Sequence, residues 1–182
     1  MYGLVNKAIQ DLVCEKFGED KWQEIKKLSG FEDDFFIGLQ SYPDSLTYTL
    51  VKNSSKVLGA DASVVLEAFG EYWVLYTVNE GYGDMMELAG DNLPEFLNNL
   101  DMLHNRLNNI MPHLVAPQFS TRNETTNSIE LEYRSHREGM APMVVGLLKG
   151  LGQRFKLENY KISQVEHKAE NKECDVFKIE WN

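Results

Sequence analysis

Hydrophobic positions recur at helical spacing through the first two thirds of the chain and at alternate positions through most of the last third. Over 2–17, Leu4, Val5, Ala8, Ile9, Leu12 and Val13 share one helical face, and Gly18 stops the run. A shorter helix is predicted around 22–28, ended by Gly30. "DSLTYTLVKNSSKVLG" reads as a helix with Asp44 and Ser45 as candidate caps and Gly59 as its stop. "DASVVLEAFGEYWVLYTVNE" is a helix rich in aromatics (Phe69, Tyr72, Trp73, Tyr76), broken at Gly81 and Gly83. After a short segment at 85–88, "DNLPEFLNNLDMLHNRLNNIMP" is predicted as one helix, with Pro94 near its start and Pro112 closing its end.

The period then changes. "APQFSTR" and "SIELEYRSH" alternate around the turn-forming "NETTNS", which predicts a hairpin. "APMVVGLLKGLGQRF" returns to helix, and "YKISQVEH" and "DVFKIEW" alternate again. Helices followed by β-β-α-β-β predict an α+β fold with a four-stranded antiparallel sheet, not a doubly wound parallel one. With 182 residues and no linker or repeat, the expectation is a single domain over 1–182. Within it, a helical lobe covers about 1–60 and an α+β lobe about 61–182.

Composition narrows the function classes. Apolar residues make up 43% of the chain and aromatics 11%, enough for a substantial core. A net charge of −10 argues against nucleic acid and against an anionic membrane surface. Cys14 and Cys174 form no CxxC and no zinc spacing, so neither a disulfide framework nor structural zinc is expected. Without a signal-like apolar core at the N-terminus or a spanning run, the expected location is cytoplasmic. The glycines of "VGLLKGLG" (Gly146, Gly150, Gly152) follow no strand and lack GK[ST], so close helix packing is expected of them, not phosphate binding.

Two features carry chemistry. His104 stands in the middle of an apolar stripe of Leu97, Leu100, Leu107 and Met111. A buried histidine satisfied by a carbonyl and a metal or haem ligand both fit that setting. No histidine or carboxylate lies at i+3 or i+4, which disfavours zinc or non-haem iron on this helix; a porphyrin, supplying the other donors itself, suits a lone histidine better. The second feature is "LEYRSHR". Read as a strand, it places Ile129, Leu131, Tyr133, Ser135 and Arg137 on one face and Glu130, Glu132, Arg134 and His136 on the other. The first face ends in two hydroxyls and a guanidinium, suited to the carboxylates of a haem edge. An ordinary strand growing polar towards its exposed end gives the same pattern.

Together these residues resemble the haem nitric oxide/oxygen-binding (H-NOX) family, which includes the haem domain of the soluble guanylate cyclase beta subunit. The resemblance runs from "MYGLVNKAIQDLV" through "FGEYWV", "EGYGDMM" and "LPEFLNNLDMLHNRL" to "APQF", "LEYRSHREGM" and "GLLKGLGQRF". Its most specific motif is Y-x-S-x-R, here Tyr133, Ser135 and Arg137, about thirty residues after "LDMLH". The resemblance implies haem b as cofactor, His104 as its proximal ligand, and Tyr133, Ser135 and Arg137 as the clamp on its propionates. It further implies that Pro112 packs against the porphyrin, that Val5 lies on a helix over the distal face, and that Trp73, Met143 and Leu147 belong to the distal pocket.

The implied function is a gas sensor, not an enzyme. Nitric oxide would bind ferrous iron, weaken or release His104, and signal to a separate partner such as a histidine kinase or a cyclic-nucleotide enzyme. Family members that hold oxygen use a distal tyrosine; "GMAPMVVG" has none, and the Met143 thioether cannot donate a hydrogen bond. Nitric oxide is therefore the expected ligand, with carbon monoxide weaker and oxygen disfavoured, Trp73 being the one indole donor at a pocket position. The alternatives are an oxygen-binding haem protein, a haem enzyme acting on nitric oxide or peroxide, and a haem-free interaction domain. The remaining histidines, His113, His136 and His167, read as solvated, and Cys14 as a buried small residue.

Overall fold

The computed structural model describes residues 1–112, 114–170 and 172–182; His113 lies outside the described residues. Helices α1 (Gly3–Phe17), α2 (Glu19–Leu28) and α3 (Asp44–Leu58) enclose a core of Trp22, Ile25, Phe31, Phe36 and Leu50. Phe31 and Phe36 stack with ring centroids 4.0 Å apart. The loop that follows α2 is tied to the start of the chain: Gly3 N–H donates to the Gln40 carbonyl at 2.8 Å and Leu4 N–H to that of Gly38 at 3.0 Å. Asp44 was expected as a cap. Pro43 occupies the cap position and Asp44 makes no capping bond, which leaves its carboxylate for other partners.

Helix α4 (Ala62–Thr77) crosses α8 (Ala141–Arg154). The crossing is backbone against backbone. A β-carbon added to Gly146 would lie 2.0 Å from the Glu67 carbonyl oxygen, and one on Gly70 would lie 2.1 Å from that of Met143. No side chain larger than hydrogen fits, so the expected packing role of Gly146 is met. Between these helices in sequence, α5 (Gly83–Glu87), α6 (Leu93–Asn98) and α7 (Leu100–Leu107) lead to the sheet.

The sheet contains β1 (Gln118–Arg122), β2 (Ser128–Arg134), β3 (Lys161–Glu166) and β4 (Asp175–Glu180), all antiparallel in the order β1-β2-β4-β3. Alternation along β2 buries Ile129, Leu131 and Tyr133 against Phe177, Ile179, Leu148 and Leu151. Its other face is charged: Arg122 pairs with Glu130 at 2.8 Å and Glu132 at 3.1 Å, and also with Glu166, while Arg134 pairs with Glu132 at 2.9 Å. The α+β architecture and antiparallel sheet read from the alternation are those observed. Among the described residues, no helix is long and apolar enough to cross a membrane.

Two expected helices differ in detail. The aromatic helix runs through α4 and then kinks within Val78–Tyr82, where Glu80 and Gly81 leave helical geometry. Gly81 turns the chain at φ +92°, whereas Gly83 is helical and opens α5. The helix expected over 91–112 is split at Asn99, which ends α6 and precedes α7. Asn99 Nδ2 donates to the Ala89 carbonyl at 2.9 Å, a tertiary bond that competes with helix continuity. Asn92 Oδ1 accepts from Glu95 N–H at 3.0 Å, and the Glu95 carboxylate accepts from Asp91 N–H at 3.1 Å, a reciprocal cap that starts α6. Helix α7 ends at Leu107, before the Asn108–Asn109 pair and well short of Pro112.

The α4–α8 contact gives a stability prediction. Gly146→Ala drives a methyl into the Glu67 carbonyl and should cost about 1–3 kcal/mol, read as a lower urea midpoint. Gly38→Ala, with nothing within 4 Å of the added carbon, should move the midpoint little.

Candidate functional site

Residues of α1, α3, α4, α5, α6, α7, α8, β1 and β2 wall a cavity of about 290 Å³. That is close to the lower end of the range for small-molecule sites. The wall is mostly aliphatic, aromatic and thioether side chains, with a few polar groups: Thr47, Tyr48, Thr77, Tyr82, His104, Tyr133 and Arg137.

Helix α7 brings His104 to this wall, and its ring stacks on Phe119 of β1 at 5.5 Å and 14°. Burial pushes the His104 pKa below the usual histidine value, more strongly than the Leu100 carbonyl and the Asp101 charge raise it. The imidazole is therefore neutral near pH 7, the state that ligates metals. Its Nδ1 is buried and lacks a well-aligned hydrogen bond; the Leu100 carbonyl, one turn back, is its nearest polar influence. Among the described residues no group of three histidine, cysteine or carboxylate side chains forms a metal cage. A lone neutral imidazole on an apolar cavity fits an iron whose other in-plane donors arrive with a porphyrin.

Tyr133 and Arg137 reach the same cavity, but not by simple alternation. Strand β2 ends at Arg134, so Ser135 and Arg137 lie in the turn beyond it. Tyr133 is buried within the sheet, and burial raises its phenol pKa; its hydroxyl bonds to that of Ser135. Ser135 is not part of the cavity wall. Its Oγ accepts from Arg137 N–H at 3.1 Å and so shapes the turn that carries Arg137. Arg137 is fixed from two sides: Nε donates to Asp44 Oδ2 at 2.8 Å and one terminal nitrogen donates to the Val115 carbonyl at 2.8 Å. The guanidinium keeps further N–H donors beyond these two. Apolar walls, a neutral imidazole and a pinned guanidinium suit a haem and its carboxylates.

Val5, Trp73, Met143 and Leu147 all line the cavity. Pro112 does not. It is exposed, and Pro117, next to β1, stands in the wall instead. The resemblance implied a porphyrin contact for Pro112; α7 ends at Leu107, and Pro112 lies in the segment beyond it. Tyr72 and Tyr76 lie outside the wall. Cys14 is half-buried, not buried, and its thiol donates to Glu19 at 3.1 Å. His136 and His167 are exposed, as expected.

The sequence reading missed Asp44, Tyr48 and Tyr82. Asp44 accepts from the Met1 ammonium at 2.5 Å as well as from Arg137, joining the start of the chain, α3 and the turn after β2. Burial opposes its charge, but the hydrogen bonds from the N-terminus and Arg137 prevail and hold its pKa below the ordinary carboxylate value. An aspartate at a helix start looks like a cap, and its partner Arg137 is 93 positions away, so no local pattern marks this role. Tyr82 follows the kink at Glu80 and Gly81, whose direction periodicity does not reveal.

A family model described as "Haem-NO-binding" matches residues 2–164. Soluble guanylate cyclase gcy-31 of Caenorhabditis elegans is 29% identical over 100% of this chain and 26% of its own length. Soluble guanylate cyclase gcy-32 of the same organism is 31% identical over 85% of this chain and 23% of its own. The chain thus spans about a quarter of the length of these relatives. An H-NOX protein from S. oneidensis in the Fe(II)NO ligation state matches 100% of this chain and 99% of its own with a TM-score of 0.90 at 21% identity, a likeness of fold.

The Asp44 junction yields a prediction. A carboxylate with a depressed folded pKa stabilises above its unfolded value, near 3.8, and that stabilisation is lost as pH falls through the folded value. Asp44→Asn should therefore lower stability at pH 7 by about 1.5 kcal/mol, the low end for charged hydrogen bonds at a partly exposed site. Urea midpoints of the two proteins should converge as pH falls below the folded value. With the fold, the cavity and the family match in agreement, this chain belongs to the haem nitric oxide/oxygen-binding (H-NOX) family.

Proposed function

We propose that this chain is a haem-based gas sensor. It holds haem b, binds nitric oxide at ferrous iron, with carbon monoxide weaker, and signals to a separate protein such as a histidine kinase or a cyclic-nucleotide enzyme. The observation that carries this reading is the meeting, on one apolar cavity, of a neutral buried imidazole with Tyr133 and Arg137. When bound, the haem supplies an iron with one position for His104 and one open to a diatomic gas, and carboxylates for Arg137.

The chain's own residues account for the rest. His104 can donate a lone pair without first losing a proton. Arg137 is pre-positioned by Asp44 and Val115, which lowers the cost of ordering it on a carboxylate. The wall formed by Val5, Met143 and Leu147 offers gas no hydrogen-bond donor, which favours nitric oxide over oxygen. Release of His104 would leave α7 held by its packing alone, including the Phe119 stack. The segment after α7 carries Met111 and Leu114, which pack against Tyr2, Leu4 and Val5. A shift of α7 thus has a packed route to α1 and to the Met1–Asp44–Arg137 junction. Coupling of roughly 1–3 kcal/mol is the usual scale of such signalling.

Oxygen binding is the second reading. It is favoured by Trp73 and Tyr82, both in the cavity wall and both with an N–H or O–H donor.

The experiment is an absorption spectrum of the reduced, haem-loaded protein under argon, air and nitric oxide. The expected result is a spectrum unchanged by air and converted by nitric oxide to a five-coordinate nitrosyl form. A stable oxy spectrum would replace the nitric oxide reading with the oxygen one. His104→Gly should lose haem and regain it with added imidazole; unchanged haem content would contradict the ligand assignment.

A further inference from the structure

Three aromatic side chains of α4 form a continuous row from the cavity to the surface. Trp73 lines the cavity. Its ring lies 6.0 Å from that of Tyr76, centroid to centroid, and Tyr76 lies 5.7 Å from Tyr72. The spacings i to i+3 and i to i+4 hold this row on one helical face. The three members differ in what surrounds their polar atoms. Tyr76 is buried, and its hydroxyl has no hydrogen-bond partner among the described residues. The Lys7 ammonium sits over its ring at 5.9 Å, which disfavours positive charge there. Tyr72, at the outer end, donates its hydroxyl to Glu15 Oε1 at 2.8 Å. A phenol that loses an electron must lose its proton, and only Tyr72 of the two tyrosines has a carboxylate in place to take it.

We propose that Trp73, Tyr76 and Tyr72 are an electron relay that carries oxidising equivalents out of the haem cavity to Tyr72, with Glu15 as the proton acceptor. The inference rests on the haem-binding reading above. The oxidant is hydrogen peroxide acting in the haem-loaded cavity. One electron leaves Tyr72 by way of Tyr76 and Trp73, and the phenolic proton passes to Glu15. The products are a neutral tyrosyl radical at Tyr72 and a protonated Glu15 carboxyl. A small phenol or ascorbate in solution then supplies one electron and one proton, which restores Tyr72 and Glu15 and frees a proton for the peroxide oxygen. Two such cycles provide the two electrons and two protons that reduce one peroxide to two waters. Tyr76, with a cation over its ring and no base at its hydroxyl, acts as a bridge and not as a resting place for the radical. The benefit is protection: oxidation ends on a half-exposed, repairable phenol instead of the porphyrin or the methionines of the cavity wall.

The test uses the haem-loaded protein, its loading checked first by the haem absorption band. Peroxide is added, samples are frozen for electron paramagnetic resonance, and a nitroso spin trap is located by peptide mass spectrometry. The wild-type protein should give a tyrosyl signal with the adduct on Tyr72. Tyr72→Phe should lose that signal and bleach its haem band faster. Tyr76→Leu, which removes the bridging ring, should lose the Tyr72 adduct although Tyr72 is intact, and Glu15→Gln should shorten the life of the radical. A Tyr72 adduct that survives Tyr76→Leu, or a wild-type adduct only on Tyr48 or Tyr133, overturns the relay while leaving the sensor reading standing. Absence of any haem band overturns both.

Discussion

Helices α4 and α8 touch through their backbones because Gly70 and Gly146 present no side chain at the crossing. Side chains flanking those glycines must point elsewhere, and Trp73, Val74 and Thr77 from α4 meet Met143, Val144 and Leu147 from α8 in one wall. The same helix α8 covers the inner face of the sheet through Leu148 and Leu151. The sheet in turn carries Phe119, on which His104 stacks. Close approach of two helices thus sets the position of both the Trp73–Met143 wall and the His104 side of the cavity. Glycine is the only residue that permits it, which explains why the motif "VGLLKGLG" belongs to packing and not to phosphate chemistry.

The second organising contact is electrostatic. Asp44 gathers the Met1 ammonium and the Arg137 guanidinium, so the first residue of the chain, the helical layer and the turn after β2 share one carboxylate. A residue that holds the proposed cofactor edge is therefore tied to the part of the fold farthest from it in sequence. Any displacement of Arg137 is felt by α3 and by the start of α1, whose Val5 also lines the cavity. Ser135 joins this arrangement indirectly, through the Arg137 backbone and the Tyr133 hydroxyl, and not by facing the cavity itself.

Periodicity alone made the sheet legible. Alternation in "SIELEYR" marks which face of β2 is buried, because burial and strand geometry share a period of two. His104 was legible as one polar residue in an apolar stripe. The end of α7 was not, because the Asn108–Asn109 pair stops it short of Pro112, and the split before it is set by a tertiary bond from Asn99. Asp44 was hidden for a different reason: its partners are set by topology, and one of them is a chain terminus, which no side-chain pattern displays. The kink at Glu80 and Gly81 that delivers Tyr82 to the cavity has no hydrophobic period of its own.

The account stands on His104 as the protein's ligand to iron. Resonance Raman spectroscopy of the reduced, haem-loaded, gas-free protein tests that most directly, since the stretch of an iron–imidazole bond appears only when the bond exists. The account predicts this band in the wild-type protein and its disappearance in His104→Gly loaded with haem in the absence of imidazole. A wild-type protein that holds haem without the band, or a His104→Gly protein that keeps it, would contradict the assignment.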